Sequence, residues 1–286
     1  MIRPVELRLS MLIVLLAVPV HLANLLLPHI YRDPAVVLPQ NLGTDVVTLC
    51  VAIPLLGLAA GAMRDGSLRA RLLWLGGLGY LVYAYGMYAL GVRWNPLFLA
   101  YLALFSLSFF ALVIGFLGTD AAVVRVRATR VPVRSVAAYL IAIAVLVSAL
   151  WLREEVAALL SGTVPPSVQQ FEAPTNIVHV FDLGLVLPAM VIAAVLLLRG
   201  RPWGYVLAGA LLVKASTIGL WVAVMIWFSA RVGVGTPPAY TAFFLALTVV
   251  GVALSWVFLA RIERTSSGVG RPYSGGAVPT TRTGDR

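Results

Sequence analysis

Charge is what this chain has least of. Of its 286 residues only 11% are charged, against about 25% in an ordinary soluble domain. That deficit excludes a water-soluble fold of ordinary kind, because so much apolar surface cannot be hidden in one aqueous core. There is a single cysteine, Cys50. It excludes an intrachain disulfide and any metal site built on paired thiolates, and inside an apolar run it reads as a small buried apolar residue. There is a single lysine, Lys214, beside twenty arginines, and there are three histidines. Phosphate-cradling glycine loops, dinucleotide fingerprints, His-Glu-x-x-His and nucleophile elbows are all missing, which favours a protein that is not an enzyme.

Apolar residues are what the chain has in excess: 61% of the total, with a mean hydropathy of +0.97. A membrane-crossing helix needs about 20 such residues. Eight stretches qualify, roughly 10–28, 44–63, 72–92, 96–117, 134–152, 176–198, 203–229 and 238–261. The first is a helix rather than a cleaved signal, because no small-x-small site follows and His21 and Asn24 lie near its end. The expected fold is therefore an all-α polytopic transmembrane bundle of about eight helices in a lipid bilayer. With the N-terminus cytoplasmic, sixteen arginines fall in cytoplasmic segments and four (Arg32, Arg93, Arg153 and Arg231) outside. That asymmetry predicts cytoplasmic N- and C-termini, with a bacterial inner membrane as the expected location. The net charge of +10 is spread over these membrane flanks, so no nucleic-acid partner is implied. The glycine-, serine- and arginine-rich segment 264–286 is expected to be a disordered cytoplasmic tail. A short surface helix is expected in the outer loop 153–175, whose glutamates read as solvated.

A shift of 134 residues overlays the second and third stretches on the sixth and seventh. Pro54 then meets Pro188, Asp45 meets His179, Thr48 meets Asp182, Gly66 meets Gly200 and Tyr80 meets Lys214. Two parallel four-helix halves follow, 1–130 and 131–263, related about an axis along the membrane normal.

Ionisable groups at a helix centre in lipid cost about 2.5–3.5 kcal/mol and usually face the bundle interior. The candidates here are Asp45, His179, Asp182 and Lys214, with His21 and Asn24. Asp45 and Thr48, His179 and Asp182, and His21 and Asn24 are each three apart, so each pair shares a helix face. All lie in the outer half of the bilayer or at its midplane, and the inner half reads as almost purely apolar. Tyr80 and Tyr83 share a face of the third stretch with Met87. Together these residues form a candidate outward-facing pocket for a small solute, ion or lipid. Each also has a structural reading. Asp182 and Lys214 fit a buried ion pair, Asp45 a dipole-favoured residue at a helix start, Asn41 a cap, and the tyrosines packing anchors.

Three functions follow in order. The first is a transporter, channel or receptor using this pocket. The second is a non-catalytic assembly or sensor protein, its polar residues joining helix to helix. The third is an intramembrane enzyme or haem protein. In outline the two halves are similar to the haem A synthase architecture. This chain lacks that family's repeated histidine pairs, and bis-histidine ligation would need His21 and His179 to face each other. No cofactor and no metal site are expected.

Overall fold

Proline marks where the helices begin. The computed structural model describes residues 2–231, 233 and 238–262, and the 264–286 tail lies outside them. In chain order the helices are α1 (Pro4–Leu26), α2 (Leu38–Val47), α3 (Ile53–Ala62), α4 (Leu68–Leu90), α5 (Phe98–Leu117), α6 (Ala121–Arg127), α7 (Val133–Ser161), α8 (Pro166–Phe171), α9 (Ile177–Phe181), α10 (Leu187–Leu198), α11 (Pro202–Arg231) and α12 (Pro238–Ala260). Seven of them carry proline in the first turn: Pro4, Pro39, Pro54, Pro166, Pro188, Pro202 and Pro238. At that position the missing N–H has no intrahelical acceptor to lose.

Pro54 and Pro188 do something further. Each sits just past a π-helical turn, Thr48–Ala52 and Asp182–Val186. Inside a continuous helix, proline removes the bond to the residue four back and crowds that carbonyl. A widened turn immediately upstream relieves the crowding and keeps the helix going. α2 and α3 thus form one span, Leu38–Asp65, and α9 and α10 another, Ile177–Leu198.

Among the described residues seven helical spans are long and apolar enough to cross a membrane, which makes the chain a multi-pass membrane protein. α4 is as long as α1, at 23 residues, but is not one of the seven. Its glycines, tyrosines and arginines lower its hydropathy, and it can carry them because it is central: α3, α5, α9 and α11 all pack against it. The outer surface is apolar instead, with Leu58, Leu117 and Trp256 each at least 76% exposed. Cys50 is also exposed on that surface, contrary to its sequence reading.

Both ends of the described chain meet at one end of the bundle. The Ile2 amide donates to the Met63 carbonyl at 3.1 Å, between the start of α1 and the end of α3. Arg69, at the start of α4, donates to the carbonyls of Ala260, the last residue of α12, and of Ile262 just beyond it, at 3.0 and 2.8 Å. An even number of long helices satisfies this closure. The turns into α4 and α11 use Gly66 (φ 74°) and Gly200 (φ 63°), left-handed positions suited to glycine. The short helix expected in the 153–175 loop is α8.

A candidate ligand cavity and two closed polar clusters

The predicted polar residues do not converge on one pocket. The structure divides them into two groups, and a third group joins them that the sequence reading missed.

The first group is closed. His21 and Asn24 share a face of α1 and meet Asp45, which is fully buried. The Asp45 carboxylate is surrounded: His21 Nδ1 at 2.7 Å, Asn24 Nδ2 at 2.9 Å, Tyr88 OH at 2.9 Å and Tyr31 OH at 2.6 Å. Around it, His21 Nε2 meets Tyr85 OH at 3.1 Å, and Tyr101 OH donates to Asn24 Oδ1 at 2.9 Å. Thr48 and Tyr80 bond through their hydroxyls at 3.1 Å, also buried. A buried carboxylate is tolerable when short charge-assisted bonds replace its water, as here. Burial raises the affinity of the Tyr31 hydroxyl, in the loop after α1, for its proton, so this phenol acts as a donor. The helix-start reading of Asp45 does not hold. α2 begins at Leu38, ahead of the predicted residue 44, so Asp45 lies well inside it. Asn41 is likewise inside α2 and no cap; its amide points to Asp33 at 3.4 Å.

The second group is open. A cavity of about 330 Å³ lies between α7, α9–α10, α11 and α12, with Tyr83 of α4 and Gln40 of α2 in its wall. Asp182 opens the π-helical turn after α9 and lines this cavity. Tyr83 OH donates to its Oδ1 at 3.1 Å and Trp151 Nε1 to its Oδ2 at 3.0 Å. Lys214 comes from α11. Its Nζ lies 4.2 Å from the centre of the Tyr83 ring, a cation–π contact, and has no hydrogen-bond partner although buried. Asp182 and Lys214 are not within ion-pair distance (4.0 Å). The expected direct pair is thus replaced by Tyr83, which touches one with its hydroxyl and the other with its ring face.

His179, one turn before Asp182, also lines the cavity. Its Nδ1 meets Glu155 Oε1 of α7 at 2.6 Å and its ring lies 4.7 Å from that of Trp151. Asn176 caps α9, accepting from the Val178 and His179 amides at 3.0 and 3.3 Å. Of the three glutamates expected in solvent, Glu172 is exposed and the other two are engaged. Glu155 pairs with His179, and Glu154 accepts from the Ser167 amide at 2.7 Å. α7 is the cause: at 29 residues, roughly 44 Å at 1.5 Å each, it runs past the predicted residue 152 and carries both acids alongside α9. Glu154, Ser167, Phe171 and Asn176 line the cavity where it reaches the loop end of the bundle, opposite the end that holds Ile2 and Ile262.

The third group lies at the terminal end, where an apolar layer was expected. Glu6 is fully buried, and Arg71 donates to both its oxygens at 3.0 Å each. Arg3 adds a bond to Glu6 Oε1 at 2.9 Å and another to the Ile114 carbonyl. Beside them Trp74 Nε1 donates to Ser10 at 2.9 Å. The outer-side confinement of polarity is thus corrected: Glu6 and Arg71 read as flanking residues because each stands near a predicted helix end.

Tyr80 and Tyr83, placed together by periodicity, serve different clusters. Tyr80 faces Thr48 and Tyr83 faces Asp182. His21 and His179 do not face each other; each is held by its own carboxylate. Trp151 and Glu155 were missed as site residues, though a signal for Glu155 existed. Glu155 precedes His179 by 24 residues, as His21 precedes Asp45, and 134 residues separate His21 from Glu155. No family model, curated protein or solved structure matches this chain.

Proposed function

We propose that the protein binds a small solute within the membrane, as a receptor or transporter, in the cavity walled by Tyr83, Trp151, His179, Asp182 and Lys214. The observation that carries this reading is the contrast between two carboxylates within the bundle, Asp45 fully buried and Asp182 half-buried. Asp45 has four donors and is not in the wall of this cavity, whereas Asp182 and Lys214 share that wall and do not reach each other. A mostly apolar cavity with a few convergent polar groups is the usual form of a small-ligand site. In this reading His21, Asn24, Asp45 and Tyr80 fix helix register, and Asp182, His179, Lys214 and Tyr83 meet the ligand.

The halves 1–130 and 131–263 belong to the same proposal. Three features support duplication at a shift of 134 residues: the π-helical turns at 48–52 and 182–186, the left-handed Gly66 and Gly200, and an acid–base pair in each half with its polarity reversed, fully buried in the first and part-buried in the second. Thr48 and Tyr80 then occupy the places of Asp182 and Lys214, as a neutral, bonded pair. The charged version stands in the second half, beside the cavity. The arginine asymmetry supports cytoplasmic termini, so the cavity would open outward. A Cys50→Ser chain with a single new cysteine at Ser167 should react with an impermeant maleimide from outside intact cells; protection from outside and labelling from within would reverse the orientation.

Native mass spectrometry tests the pocket. Wild-type protein extracted gently should carry a small-molecule adduct that is lost when Ala215→Trp fills the cavity. Identical spectra for the two would remove the reading.

A further inference from the structure

Within the pocket, one fully buried polar atom is left without a partner. Asp182 holds two donors, Glu154 holds the Ser167 amide and His179 holds Glu155. Among the described residues only two buried side-chain polar atoms have no partner, and of these only Lys214 Nζ belongs to the cavity. Lys214 is 6% exposed. Its stem runs past Gly79 of α4, where a Cβ would lie 3.8 Å from the lysine Cδ, and its head rests on the Tyr83 ring. The ammonium is therefore held in place with its donors unspent, and a buried donor without an acceptor is costly unless something supplies one.

We propose that the ligand is an organic carboxylate on an apolar body, with the carboxylate seated on Lys214. The inference rests on the ligand-pocket reading above. Sign comes from the donor: the free group is a cation, and the acids in the wall already have partners. Size of charge comes from what is missing. Among the described residues no arginine lines the cavity, so a doubly charged phosphate would lack the forked donors that usually hold it, whereas one ammonium suits one carboxylate. The apolar body follows from the remaining wall, with Ile143, Val147, Met190, Ile218, Val222 and Phe244 around the polar end. A volume of about 330 Å³ is at the lower end of the ~300–1,000 Å³ range of small-ligand pockets, which sets an upper limit near a single ring or a medium-length chain.

The test uses the full chain in nanodiscs and four probes: hydrocinnamate, its alcohol, its amine, and octanoate. Calorimetry should show a carboxylate binding roughly tenfold or more tighter than the alcohol and the amine, the span of one charge-assisted hydrogen bond. Lys214→Met should erase that preference and Lys214→Arg should keep it. A preference for hydrocinnamate over octanoate points to an aromatic acid, and the reverse points to a lipid-derived one. If alcohol and carboxylate bind alike and both are lost in Ala215→Trp, the pocket stands and the carboxylate assignment falls. Tightest binding by the amine assigns the anchor to Asp182 and also overturns the proposal. So does the absence of binding by every probe; the adduct experiment then decides the pocket separately. Where Lys214→Met fails to fold, the carboxylate-to-alcohol ratio of the wild type decides alone.

Discussion

Arg71 and Glu6 are 65 residues apart in the chain and meet side by side, two nitrogens on two oxygens, each at 3.0 Å. The pair ties α4 to α1 at the end of the bundle that holds Ile2 and Ile262. Glu6 is fully buried and Arg71 nearly so. Removing Arg71 leaves the buried Glu6 with Arg3 as its one remaining cation and takes the side-chain donor from Oε2. Arg71→Met should therefore cost about 3–5 kcal/mol, while Glu6→Leu with Arg71→Met should recover most of that. Thermal melts in detergent followed by size exclusion would measure both; a double variant no better than the single would contradict this account.

The Asp45 cluster makes a different prediction. Asp45→Leu strands the donors of His21, Asn24, Tyr31 and Tyr88 in a closed site. At about 1–3 kcal/mol for an unsatisfied buried donor, the loss of stability should be severe. Asp45→Asn keeps one acceptor and should be milder. In whatever folded protein remains, the adduct in the Lys214 cavity should persist. Its loss in a well-folded Asp45→Asn sample would join the two clusters into one site.

Adjacent glycines on α4 should behave oppositely. A Cβ at Gly76 would lie 2.7 Å from the Ala210 carbonyl oxygen, and at that distance the α11 backbone must move. A Cβ at Gly77 would lie 3.7 Å from a Leu55 methyl, an ordinary contact. Gly76→Ala should destabilise by about 1–3 kcal/mol, as overpacking does. Gly77→Ala should be neutral or better, since alanine favours the helix by up to ~1 kcal/mol. Melting temperatures of the two variants against wild type check the contrast.

Asp33 supplies a pH dependence in the loop between α1 and α2. Burial raises its carboxyl above the ordinary 3.8, despite the Arg93 amide at 2.9 Å. The folded state then holds this proton more tightly than the unfolded one. Stability from this group is greatest with the proton on and declines as pH rises from 3.8 through the raised value. Melting temperature measured downward through mildly acidic pH should carry a rising component that Asp33→Asn lacks. An unchanged profile in that variant would assign the dependence elsewhere.

Much of the candidate site was legible one residue at a time. Asp45, Asp182, His179 and Lys214 stand out because an ionisable group in an apolar run is expensive. Partnership was not legible. Helical periodicity puts Tyr80 and Tyr83 on one face of α4, yet α4 is surrounded, so one reaches Thr48 and the other Asp182. Glu155 was hidden because α7 continues far beyond the apolar stretch that reveals it, and hydropathy cannot find the end of a helix that runs on out of the lipid. Glu6 and Arg71 were hidden by the same rule applied at the other end: residues near predicted helix ends are taken as solvated, and these two bury each other.

By itself the sequence determined the helical class and most of the helix ends, because about 20 apolar residues are required for each crossing and proline marks where helices start. It also separated the few groups that hydrocarbon would reject. Only the tertiary structure decided which of them close on one another and which face a space. That choice depends on how α4 and α11 approach across the bundle, through distances of a few ångströms that helical spacing does not contain. Asp45 ends among four donors and Lys214 at a cavity with none of its bonds made, a difference that arises from packing between helices and not from either residue's place along its own.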